Sequence, residues 1–154
     1  MTATAAETDL ARLYFEVNQF YARHMHLLDA GDADAWADGF TPDGEFQLPS
    51  APQPARGRQA LADGVRRSAA EQKAAGEVHR HWHGMVTVDP VDDGSVHVSC
   101  YALVLATALG GATRLHRACV CEDVLVRSDG RWLIRSRRVT RDDLPSTCPE
   151  TTAT

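Results

Sequence analysis

The stretch Ser95-Val96-His97-Val98-Ser99-Cys100-Tyr101-Ala102-Leu103-Val104-Leu105-Ala106-Thr107-Ala108-Leu109 breaks the helical periodicity of the residues ahead of it. It is rich in Val, Leu, Cys and Tyr and ends at Gly110-Gly111, the composition of a strand closed by a turn. Its neighbours read the same way: His79 to Val88 before it, then Thr113 to Ser128 and Arg131 to Thr140 after it. Asp92-Asp93-Gly94, Gly110-Gly111 and Asp129-Gly130 separate them, so four consecutive antiparallel strands are expected. Upstream, Leu10, Leu13, Tyr14, Val17, Phe20, Tyr21, His24, Leu27 and Leu28 form one stripe of an amphipathic helix from Asp9 to Asp29, stopped at Gly31. Asp32 caps a short helix over Ala33 to Phe40, Thr41-Pro42-Asp43-Gly44 reads as a turn, and Glu45 to Leu48 as a short strand. Three prolines make residues 49–57 a loop, and Leu61, Val65 and Ala69 place a third helix over Arg58 to Ala75, ended near Gly76. Helices first and a strand meander afterwards give an α+β fold, with one sheet curling round the helices.

At 154 residues the chain is one domain's worth of sequence. With 44% hydrophobic and 24% charged residues it falls outside the disordered, collagen-like, coiled-coil and membrane classes. A net charge of −5 offers no general attraction for phosphate backbones, so nucleic acid is not an expected partner. No run of eighteen apolar residues is present, and Met1 to Ala6 lacks a basic stretch leading into an apolar core; the expectation is no membrane association and a cytoplasmic location. Cys100, Cys119, Cys121 and Cys148 show no CxxC spacing and read as reduced core residues. Cys119 and Cys121 share a strand face but lack a second ligand pair for a metal. The boundaries expected are a disordered start (1–8), a domain (9–142) and a flexible, Thr-rich tail (143–154). Apolar residues on both faces of Val96 to Ala106 leave an outer surface to cover.

Chemistry concentrates in His79-Arg80-His81-Trp82-His83, where a period of two puts three imidazoles on one face of a strand. The cluster admits three readings: a solvated strand entrance, a metal site in which His116 adds a ligand, and acid–base chemistry. Asp29 follows the apolar pair Leu27-Leu28 on the helix stripe, where a carboxylate needs a partner, and an imidazole serves when protons are transferred. The alternative is a helix-ending aspartate, solvated or capping the next helix.

The run Leu28-Asp29-Ala30-Gly31-Asp32-Ala33-Asp34-Ala35-Trp36, then Phe40-Thr41-Pro42-Asp43-Gly44, Arg80-His81, and Arg127-Ser128-Asp129-Gly130-Arg131-Trp132-Leu133-Ile134 with Arg138-Val139, resembles the SnoaL-like branch of the NTF2-like superfamily. The resemblance spans roughly residues 9 to 142. It implies a cone-shaped α+β barrel, with three N-terminal helices on a curved, mainly antiparallel sheet enclosing a pocket, and a homodimer. The pattern is most similar to scytalone dehydratase and related polyketide dehydratases and cyclases. In those enzymes an aspartate ending the first helix orients a histidine at a strand entrance, and Asp29 and His81 match these positions. Counting back from Trp132 puts the family's second pocket histidine at His116. Leu28 and Leu48 stand where the dehydratase has two tyrosines, and Tyr21 or Tyr101 can take over if either faces the pocket.

The expectation that follows is a cofactor-free, metal-free acid–base enzyme, a dehydratase, cyclase or isomerase for a hydrophobic, oxygenated small molecule of natural-product biosynthesis. His81 is expected as base, Asp29 as its orienter and His116 as acid, with His83 the rival for the base. Trp36, Phe40, Leu48, Leu61, Val65, Met85 and Tyr101 are the expected apolar lining, joined by Tyr21 and His83. A non-catalytic binding or scaffolding module and a metalloenzyme built on His79, His81 and His83 are the alternatives.

Overall fold

In the computed structural model, residues 5–145 are described, with side chains from Asp9 onward. The long first helix, α1 (Ala5–Ala30), starts four residues before the expected Asp9 and ends as expected, with Gly31 at φ 72°. Residues 1–4 and 146–154, including Cys148 and most of the expected tail, lie outside the described residues. A short α2 (Ala33–Ala37) begins at Asp32, whose side chain accepts from the Ala35 amide. It stops three residues before the expected Phe40. β1 (Phe40–Gln47) leads to the two-residue β2 (Ala55–Arg56), then α3 (Gly57–Ala75), closed by Gly76 in the left-handed conformation. The meander follows as β3 (Glu77–Pro90), β4 (Val96–Ala108), β5 (Thr113–Ser128) and β6 (Arg131–Arg141).

The six strands form one unclosed sheet in the order β2-β1-β6-β5-β4-β3. Every neighbouring pair is antiparallel except β1 with β6. The expected turn at Thr41-Pro42-Asp43-Gly44 is instead a wide irregularity inside β1. Phe40 pairs with Ile134 and Glu45 with Ser136, so four residues of β1 face one of β6. Gly44 fits there because a Cβ would come within 2.9 Å of the Phe40 Cβ and 3.2 Å of the Ile134 carbonyl oxygen.

Alternation along β4 turns Val96, Val98, Cys100, Ala102, Val104 and Ala106 inward, and the same rule on β5 turns in Cys119, Cys121, Asp123 and Leu125. The helices cover this concave face. Val17 and Tyr21 of α1, Trp36 of α2 and Leu61 and Val65 of α3 meet Phe40, Leu125 and Ile134 in one core. Trp36 stacks on His24 with ring centroids 5.1 Å apart and tilts against Phe40 at 5.0 Å. The architecture is the α+β cone expected, with the sheet left open between its two edge strands, β2 and β3.

Candidate active site

β3 is an edge strand, so every second backbone amide on its outer side lacks a strand partner. At His81 that amide meets the last turn of α1. The Asp29 carboxylate accepts it at 3.2 and 3.3 Å through its two oxygens, and Oδ1 also binds His81 Nδ1 at 2.7 Å. One carboxylate thus fixes both the strand and the ring. Because a carboxylate only accepts, Nδ1 carries the hydrogen and Nε2 presents a lone pair. The Asp29 side chain is nearly closed off, while the imidazole keeps 22% of its surface open.

That open side borders a cavity of about 290 Å³ between α1 and β3, lined by Asn18, Tyr21, Ala22, Met25, His26, His81, Trp82, His83 and Val86. Its volume lies at the lower end of the roughly 300–1,000 Å³ usual for small-molecule sites. The Trp82 ring packs against Gly84, where a Cβ would lie 2.1 Å from the ring. His83 sits on the same face as His81. Its Nδ1 lies 3.6 Å from Cys100 Sγ, and the Tyr21 ring meets it edge-on at 5.3 Å.

Deeper in, a second carboxylate is fully buried. Asp123 binds Arg137 through Nε (2.9 Å) and Nη2 (2.6 Å), and accepts from the Tyr21 hydroxyl (2.8 Å) and the Cys121 thiol (3.3 Å). Burial acts to raise the Asp123 carboxyl, but the Arg137 charge and these hydrogen bonds outweigh it and hold it below the usual carboxylate range. His24, also buried, donates from Nε2 to the Trp36 carbonyl, and its Nδ1 has no partner among the described residues. Burial, reinforced by the Arg137 charge, pushes it down to about 3, so the ring is neutral.

The remaining expected site residues divide into three groups. Tyr21 and His83 do line the cavity. Trp36, Phe40, Leu61 and Val65 are buried core residues and fill the space beneath the sheet instead of lining an open pocket. Leu48, Met85 and Tyr101 face outward. Leu48 lies just past the end of β1; a bulge between Gly84 and Thr87 reverses the alternation of β3 and leaves Met85 74% exposed; and Cys100 and Ala102 occupy the inward positions that flank Tyr101, which is 56% exposed. Tyr101 therefore does not replace the missing phenols.

His116 is exposed at a β5 irregularity, its ring 5.0 Å from that of His79 instead of against His81. Burial, with the charges of Arg117, His79 and Arg114, lowers its pKa. The three strand histidines have separate partners: His79 binds Glu77, His81 binds Asp29 and His83 meets Cys100. Among the described residues no three His, Cys, Asp or Glu side chains are grouped to hold a metal ion.

Sequence reasoning missed Asn18, Ala22, Met25, His26, Trp82 and Val86 in the cavity wall, and missed the Asp123–Arg137 pair. The signal for the latter was present: Asp123 falls on the same alternation as Cys119, Cys121 and Leu125, an acidic residue on an apolar strand face. A second cavity of about 260 Å³, beside Arg12, Glu16, Arg127 and Trp132, lies away from the Asp29–His81 pair. There Arg127 stacks over Trp132 at 4.3 Å and both donate to Glu16, so its polar groups satisfy one another. No helix among the described residues is long and apolar enough to cross a membrane.

Comparison with known proteins gives concordant findings. The family model described as a SnoaL-like domain matches residues 11–138. No match was found among curated protein sequences. Among solved structures, the chain is similar to Aln2 from a Streptomyces species, with 40% identity over 86% of this chain and 92% of the other, at a TM-score of 0.80. It is also similar to ActVI-ORFA from Streptomyces coelicolor, with 34% identity, 87% and 98% coverage and a TM-score of 0.81. A protein from Catenulispora acidiphila, solved in complex with S-DNPA, shares 41% identity over 86% of this chain and 95% of its own, at a TM-score of 0.75.

Proposed function

The chain belongs to the SnoaL-like domain family, and from that membership we propose that it is a cofactor-independent acid–base enzyme of the dehydratase, cyclase or isomerase type. Its substrate is a hydrophobic, oxygenated small molecule of polyketide or other natural-product biosynthesis. The observation that carries this reading is the 2.7 Å hydrogen bond from His81 Nδ1 to Asp29 at the wall of a cavity. His81 Nε2 takes a proton from a carbon next to a carbonyl, or from a hydroxyl about to add. Asp29 holds the tautomer and supports the imidazolium that forms. The S-DNPA complex of the Catenulispora acidiphila protein supports a small-molecule ligand here too.

Deuterium incorporation from D2O into 2-tetralone, a bicyclic aromatic ketone, tests the reading without knowledge of the natural substrate. Wild-type protein should exchange the proton next to the carbonyl faster than buffer does, and Asp29→Asn should lower that rate by roughly 10²–10⁴-fold with the fold intact. An Asp29→Asn rate equal to wild type removes the dyad from the mechanism. The filling of the space beneath the sheet by Trp36 and Phe40 favours a second reading, a non-catalytic binding module, which predicts S-DNPA binding and no exchange. We also propose a homodimer, because Met85, Tyr101 and Leu115 leave apolar surface exposed on the sheet; light scattering should give twice the chain mass.

A further inference from the structure

Proton transfer at a carbonyl requires a donor as well as a base. Two imidazoles, His81 and His83, border the same cavity from one face of β3. Each has its Nδ1 engaged by the protein, and the engaging groups are chemically opposite. Asp29 only accepts, which leaves His81 Nε2 as a lone pair. Cys100 Sγ, buried and 3.6 Å from His83 Nδ1, donates as a thiol, whose sulfur is only a weak acceptor, and accepts strongly as a thiolate. With the proton on sulfur, the ring nitrogen accepts it and the neutral ring carries its hydrogen on Nε2. With the proton passed to the ring, Nδ1–H points at the thiolate and Nε2 still carries a hydrogen.

Cys100 is held in place from behind. It pairs in register with Cys121 across β4 and β5, and Cys121 donates to the Asp123 carboxylate that Arg137 anchors. The Tyr21 ring packs edge-on against His83 from α1. The neighbouring Cys121 above all, with the His83 ring and against the effect of burial, draws the Cys100 thiol below its ordinary range.

We propose that His83 is the proton donor of this site, presenting Nε2–H to the cavity that the Nε2 lone pair of His81 also borders, with Cys100 as the positioning residue that fixes its tautomer. The inference rests on the acid–base reading and names a second catalytic group within it, in place of the expected His116. The step balances without a cofactor. The C–H electron pair becomes the enolate as the proton passes to His81 Nε2, and the enolate oxygen takes the proton of His83 Nε2 while the Cys100 thiol proton moves to His83 Nδ1 and leaves a thiolate. Reversal with solvent deuterons returns labelled ketone and resets both rings.

The test is nitrogen-15 NMR of the histidine rings in the ligand-free protein, combined with the 2-tetralone exchange assay. The expected spectrum has hydrogen on Nδ1 of His81 and on Nε2 of His83, with Cys100→Ala releasing the His83 preference and leaving that of His81. His83→Asn should slow exchange by a hundredfold or more, His83→Gln, which keeps a donor near the Nε2 position, should restore part of the rate, and His116→Asn should stay within twofold of wild type. Neutral His83 with its hydrogen on Nδ1 alone, or a His83→Asn rate equal to wild type while Asp29→Asn loses exchange, overturns this inference and leaves the Asp29–His81 dyad standing. Wild-type exchange no faster than buffer overturns the acid–base function and this inference together.

Discussion

Two aspartates in this chain each bind a nitrogen partner, and their surroundings assign them different work. Asp123 lies at the centre of the concave face, with a guanidinium, a phenol and a thiol saturating its oxygens and no surface left open. Asp29 lies at the rim, its partner is a titratable ring with 22% of its surface open, and that ring has a nitrogen to spare. A saturated buried pair holds the strands together and has no capacity left for a ligand. An ion-pair partner with one free nitrogen at a cavity wall can exchange a proton with whatever enters.

Substitutions that separate stability from activity break or sharpen this contrast. The largest loss of stability is expected at the centre: Asp123→Ala strands the Arg137 charge in the core and should cost about 3–5 kcal/mol, read as a lower urea midpoint. Asp29→Ala should cost about 0.5–1.5 kcal/mol in the same measurement. Equal losses would make the two carboxylates structurally equivalent and remove the contrast.

Acid should act on the core in two stages. His24 is held neutral, with its folded value near 3 against 6.5 when unfolded, so stability is full above pH 6.5 and falls below it by about 1.4 kcal/mol per pH unit. Asp123 acts in the same direction at lower pH: its stabilisation is full above about pH 3.8 and is lost as pH falls through its depressed folded value. Urea midpoints measured from pH 7 to pH 4 should decline in wild type and flatten in His24→Phe, which keeps an aromatic ring for the stack without the titrating nitrogen. Tyr21→Phe, which removes one hydrogen bond to Asp123, should cost about 1 kcal/mol, as little as Asp29→Ala.

Much of this was legible in the residues. The apolar stripe of α1 and the turn chemistry between β3, β4, β5 and β6 placed the elements, with β5 at its observed limits. The likeness of Asp29 and His81 to family positions anticipated their contact. Legibility failed where inward and outward sides depend on a bulge or on both faces being apolar. Met85 was displaced by the irregularity after Gly84, and Tyr101 sits in a strand whose two faces carry similar side chains. His116 was placed by ungapped counting, and the register shift in β4 and β5 between Val104 and Leu105 lies beside it. The contact of Tyr21 with Asp123, 102 positions apart, joins polar groups that resemble surface residues until the sheet folds over them.

The double acceptance by Asp29 has a consequence for life in a crowded solution. β3 ends the sheet, and an unpaired edge amide is a template on which a strand from another chain can add. By occupying the His81 amide, the carboxylate at the end of α1 closes one rung of that template. Loss of Asp29 therefore exposes an adhesive edge as well as releasing an imidazole, whereas loss of the His81 ring alone leaves the backbone amide guarded.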